Sequence, residues 1–137
     1  MSILDSQVSC VNLEDLARYY KLKHLQVRNS KLKDVLCPLK TSKLRSITNN
    51  LKHIKSLDVS FNSLVQLDSV LESSVLLESL NIAHNRFNQI SPVITTFKKL
   101  RSLNISNNML SITLDRQIFE SIAPNLQQLD LSGLNNS

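Results

Sequence analysis

Ile54-Lys55-Ser56-Leu57-Asp58-Val59-Ser60-Phe61-Asn62-Ser63-Leu64 recurs as Leu77-Glu78-Ser79-Leu80-Asn81-Ile82-Ala83-His84-Asn85-Arg86-Phe87 and again as Leu100-Arg101-Ser102-Leu103-Asn104-Ile105-Ser106-Asn107-Asn108-Met109-Leu110. The offset is 23 residues both times, inside the range where self-similarity at a fixed period marks a solenoid. Two looser copies flank these. Leu22-Lys23-His24-Leu25-Gln26-Val27-Arg28-Asn29-Ser30-Lys31-Leu32 carries Ser where the others carry Asn, and Leu126-Gln127-Gln128-Leu129-Asp130-Leu131-Ser132-Gly133-Leu134 departs only at its last positions. Alternation such as Leu57-Asp58-Val59 or Leu103-Asn104-Ile105 has the period of two of a strand with one buried face. A single such strand cannot bury enough surface to fold alone, so neighbouring copies must stack and share a core.

The copies resemble the LxxLxLxxNxL pattern of the leucine-rich repeat family, of the intracellular type, from about Leu13 to Leu134. The resemblance implies an α/β solenoid: a parallel concave sheet, with short helices or irregular coils on the convex side. Asn62, Asn85 and Asn108 close their strands, and Asn is a residue type whose amide satisfies backbone groups where a chain leaves a sheet. The resemblance implies that they form a structural hydrogen-bonded ladder between coils. Ser102 to Leu110, followed by Ala123-Pro124-Asn125-Leu126 and Leu131-Ser132-Gly133, also resembles the repeats of nuclear messenger RNA export receptors, with Leu134 where those have Asn.

The length of 137 residues points to one domain. Residues 1–21 read as an N-terminal cap or partial repeat and 22–53 as a long irregular repeat. Residues 54–125 read as the regular repeats and 126–137 as a final partial one. Leu13, Leu16, Ala17 and Tyr20 form a helical stripe, and Ile3 and Leu4 mark an opening strand or cap. The 32 positions from Leu22 to Ile54 exceed the later period, so an insertion containing Pro38 and 41–50 is expected to project away from the sheet. Gln117 to Ile122 reads as a short convex helix that Pro124 ends. No polar cap follows Leu134, so the expectation is a piece of a longer protein or an edge covered by a partner.

Composition narrows the function. The one glycine, Gly133, excludes Gly-rich phosphate loops, dinucleotide fingerprints and nucleophile elbows. There is no HExxH, paired CxxC or Asp-rich calcium loop, so no metal, no cofactor, no small-molecule substrate and no enzymatic activity are expected. Cys10 and Cys37 do not form the clusters of disulfide-bonded end caps, and no signal segment or membrane span is readable. A cytoplasmic or nuclear location is expected.

Strand positions that face away from the core line the concave surface and carry recognition. One stripe reads Gln26, Asp58, Asn81, Asn104, Asp130. The next reads Arg28, Ser60, Ala83, Ser106, Ser132, and a third reads Asn29, Phe61, His84, Asn107, Gly133. The partner-binding candidates are Arg28, Asp58, Asn81, Asn104 and Asp130, together with Asn107 and the larger side chains Phe61, His84 and Arg86, which stand out as anchors.

Charge is concentrated: residues 18–55 carry +10, against −3 before and −2 after, within a net +5. The basic patch comprises Lys21, Lys23, Lys31, Lys33, Lys43, Arg45, Lys52 and Lys55. The leading expectation is a non-catalytic scaffold that binds another protein through its concave face. An RNA-binding or mRNA-export adaptor using the basic half stays open, as does a regulatory module of a phosphatase or other enzyme.

Overall fold

The computed structural model of the chain describes residues 2–4, 22–30, 52–65, 67, 74–90, 92–110 and 116–134. The helix expected at Leu13 to Tyr20, the insertion around Pro38 and both cysteines lie outside these residues. The strands are β1 (Ser2–Leu4), β2 (His24–Arg28), β3 (Ser56–Asp58), β4 (Ser79–Asn81), β5 (Ser102–Asn104) and β6 (Gln128–Asp130). They form a six-stranded sheet in the order of the chain, and every neighbouring pair is parallel. The register places Leu25, Leu57, Leu80, Leu103 and Leu129 on adjacent rungs. Parallel neighbours in chain order need a crossover on one side of the sheet at each step, so the chain winds as a solenoid.

The inner coils bury their side chains in columns, whereas on the last strand Leu129 is exposed. Leu57, Leu80 and Leu103 are inside with Val59, Ile82 and Ile105 one alternation later, and Ile54, Leu77 and Leu100 open the coils. Leu64, Phe87 and Leu110 close the core from the far side of the turn. Burying an aliphatic side chain of this size contributes about 1.5–3 kcal/mol, and no coil holds enough of them to stand alone. Across the convex side runs a 3₁₀ segment, Pro92–Thr96, whose Val93 and Ile94 are buried. A helix α1, Arg116–Ile122, packs beside it and passes into a 3₁₀ turn at Ala123–Asn125. Ile122 joins the core. The expected convex helix is therefore present, and Ile3 and Leu4 belong to an opening strand.

The asparagine ladder fixes the turns. Nδ2 of Asn85 donates to Val59 O, Ile82 O and Ala83 O at 3.0–3.1 Å, while its Oδ1 accepts the Leu64 N–H at 2.9 Å. Asn108 repeats this one coil on, to Ile82 O, Ile105 O and Ser106 O, and accepts from Phe87 N. Asn62 does the same towards the preceding coil through Val27 O and Ser30 N. Each amide thus joins two coils where the backbone leaves the sheet. Position 134, where the pattern would place the next amide, is Leu.

One expectation is corrected. Ser60, Ala83 and Ser106 do not line an open stripe; they are 1%, 3% and 4% exposed. The period of two stops at Val59, Ile82 and Ile105, because the following residues turn out of the strand and are overlaid by the neighbouring coil. Small side chains occupy these positions for lack of room.

Candidate functional site

The residue after each strand exit, following Arg28, Ser60, Ala83, Ser106 and Ser132 in turn, has a left-handed backbone: φ is 50° at Asn29, 57° at Phe61, 53° at His84, 55° at Asn107 and 64° at Gly133. The turn demands this of every coil, and the N–H of the turning residue is held by the next coil: Phe61 N to Ala83 O at 3.0 Å, His84 N to Ser106 O at 2.9 Å and Asn107 N to Ser132 O at 2.9 Å. The third stripe is therefore a column of side chains on a pinned backbone. Asn, His and Gly tolerate a positive φ, whereas a bulky residue there is an outlier. Phe61 is that outlier.

The column is stacked. The Phe61 and His84 rings lie 4.1 Å apart between centroids with an interplanar angle of 10°. On the preceding coil the guanidinium carbon of Arg28 is 5.4 Å from the Phe61 centroid. On the following coil the Asn107 amide reaches the imidazole, its Nδ2 3.1 Å from His84 Nε2. Next in the column, a Cβ at Gly133 would meet Asn107 Oδ1, which, with the positive φ, accounts for the glycine.

The first stripe has a different job. Asp58 Oδ1 accepts from Ser60 N at 3.0 Å and Ser60 Oγ at 2.7 Å. Asn81 Oδ1 accepts from Ala83 N, Asn104 Oδ1 from Ser106 N and Oγ, and Asp130 Oδ1 from Ser132 N and Oγ. The side chain at this position curls onto the exit of its own strand and steadies the left-handed turn. Asp130 shows the electrostatic trace: the Ser132 hydroxyl first, then its backbone N–H, holds the carboxyl below the usual carboxylate range. The other oxygen of Asp58 faces Gln26 Nε2 at 3.4 Å and Arg28 Nε at 3.8 Å.

Of the residues expected from sequence, Arg28, Asp58, Phe61, His84 and Asn107 come together in one cluster. Asn81, Asn104 and Asp130 are placed on the concave face with their acceptors committed to their own turns. Arg86 is exposed on the turn beyond Asn85 and its side chain joins none of these bonds. Of the basic patch, Lys23, Lys52 and Lys55 are among the described residues; Lys21, Lys31, Lys33, Lys43 and Arg45 lie outside them. The sequence reading missed a stripe formed by His24, Ser56, Ser79, Ser102 and Gln128, aligned in register before the core leucines. The recurrent Ser of Ser-Leu-Asp and Ser-Leu-Asn was its signal. Among the described residues no group of His, Cys, Asp and Glu could hold a metal ion, and no helix is long and apolar enough to cross a membrane.

Compared with known proteins, residues 76–97 and 99–122 match the family model described as Leucine Rich Repeat. No curated protein matches the chain. Among solved structures, the chain is similar to the crystal structure of an internalin (inlF) from Listeria monocytogenes str. 4b F2365, with a TM-score of 0.55 and 21% identity over 93% of this chain. The chain spans 39% of that internalin's length. The likeness is one of fold, and the fold is the leucine-rich repeat solenoid.

Proposed function

We propose that this leucine-rich repeat chain binds another protein through its concave face, with the Arg28, Phe61 and His84 cluster as the anchor and no catalytic step of its own. The observation that carries the reading is Phe61: 42% exposed, in a backbone region unfavourable for its size, and braced by a ring on one neighbouring coil and a guanidinium on another. Rigid aromatic and arginine side chains set among small polar ones are what a protein interface uses as anchors. The rest of the face is Ser, Asn and Asp with much of its hydrogen-bonding capacity turned inward, which leaves a firm surface at low ordering cost.

The test is affinity capture with the chain, with Phe61→Asn and His84→Ala variants, and with Lys98→Gln as a control on the turn behind the sheet. Proteins held equally by the parent and Lys98→Gln chains should be lost, by about tenfold or more, from the Phe61 and His84 variants; a tenfold change corresponds to about 1.4 kcal/mol. Equal recovery by all four chains would overturn the assignment.

A further inference from the structure

Among the described residues, Arg28 is a guanidinium fixed from several sides and still open. Its Nε donates to Ser60 Oγ at 3.2 Å and lies 3.8 Å from Asp58 Oδ2, with 41% of its side chain exposed. An arginine has five N–H donors, and those on Nη1 and Nη2 take no hydrogen-bond partner among the described residues. Asp58 is already supplied, through Ser60 at Oδ1 and through Gln26 and the Arg28 Nε at Oδ2. It acts as a positioning residue that aims the fork. The faces of the Phe61 ring are approached by His84 and Arg28 from the coils on either side, so its exposed part is the rim, the positive edge of the ring quadrupole.

We infer that this cluster receives an acidic segment of the partner protein. A glutamate or aspartate carboxylate forks onto the Nη groups of Arg28, and an apolar side chain beside it lies along the rim of Phe61 and His84. The planar fork matches a carboxylate bidentately, and the net charge of +5, with +10 over residues 18–55, draws such a segment in. Single-stranded RNA fits less well, because base stacking needs a free ring face and those of Phe61 are covered. The inference rests on the concave-face reading and names the chemistry of its partner.

The experiment is an NMR titration of the full chain, following the Arg28 Nε–H and the Phe61 and His84 ring signals. The probes are the blocked peptide Glu-Leu-Glu-Phe-Glu, its counterpart with Gln for every Glu, and a five-nucleotide single-stranded RNA. Saturable shifts of all three signals are expected with the acidic peptide. Binding should weaken about tenfold or more with the Gln peptide and with Arg28→Gln, recover little in Arg28→Lys, which offers a point charge and no fork, and hold in Lys99→Gln. Equal binding of both peptides at the Phe61 and His84 rings would overturn the carboxylate assignment and leave the concave face in place. Tighter RNA binding at the same signals would overturn the choice of partner. No saturable shift there with any probe would overturn the inference, while the concave-face reading would stand or fall by the capture of partners with the Phe61 and His84 variants.

Discussion

Phe61 occupies a backbone conformation that the rest of its column reaches with Asn, His or Gly. A bulky side chain at positive φ costs about 1–3 kcal/mol, and the stack on His84 together with the Arg28 contact returns about 1–2.5 kcal/mol. The two nearly cancel. Phe61→Asn, which installs the residue found at 29 and 107 of the same column, should therefore change unfolding free energy by less than about 1 kcal/mol while removing the anchor. Denaturant unfolding checks it, and a loss of several kcal/mol would mean that Phe61 is a core residue. At Asp130 the folded carboxyl is depressed by Ser132, so its contribution is present above the unfolded pKa and fades as pH falls through the folded one. Ser132→Ala should raise the Asp130 titration seen by NMR and narrow the stability gap from the parent chain on acidification. An unmoved titration would contradict the hydrogen bonds as drawn.

At the scale of the element, the ladder asparagines and the stripe asparagines separate. Asn85 is 7% exposed and serves backbone groups of two coils, so Asn85→Ala leaves several buried groups unpaired and should cost about 2–4 kcal/mol. Asn81 accepts one bond from its own turn, from the Ala83 N–H, and Asn81→Ala should cost about 1 kcal/mol or less. Thermal or denaturant unfolding of the pair ranks them, and equal losses would refute the distinction. The ladder positions and the Leu-x-Leu rungs were legible in the sequence because a repeat of 23 residues puts equivalent side chains on neighbouring coils. Phe61 and His84 could be placed in one column by the same arithmetic. The exit from the strand was not legible: alternation of two says nothing of where the backbone turns left-handed, so Ser60, Ala83 and Ser106 read as surface. Nor was the Arg28 to Asp58 pair: the repeat pattern put Gln26 beside Asp58, as the register has it, but it put Arg28 in the next stripe, and a contact between stripes depends on which way the side chains turn.

At the scale of the whole molecule, each coil touches its neighbours and stability is close to a sum of coil and interface terms. Leu80→Ala, in the middle of the sheet and 1% exposed, should cost about 2–5 kcal/mol. Coupling should decay with rung separation: Ile82→Val and Ile105→Val, on adjacent coils, should deviate from additivity, whereas Val27→Ala and Ile105→Val, two coils further apart, should add within about 0.5 kcal/mol. A double-mutant cycle for each pair decides this. Strong coupling between the distant pair would contradict a one-dimensional molecule.

The left-handed column has a consequence for how such a chain can change. Its backbone is secured by amide hydrogens and carbonyls that are the same whatever side chain is mounted there, and the column already carries Asn, Phe, His, Asn and Gly in turn. Architecture and vocabulary are thus written in different atoms. Among residues that accept a left-handed backbone, a mutation at Asn29, Phe61, His84 or Asn107 edits a letter without touching the spine, so new specificities can be spelled one coil at a time while the winding stays as it is; Gly133, where a Cβ would meet Asn107, is the slot that stays fixed.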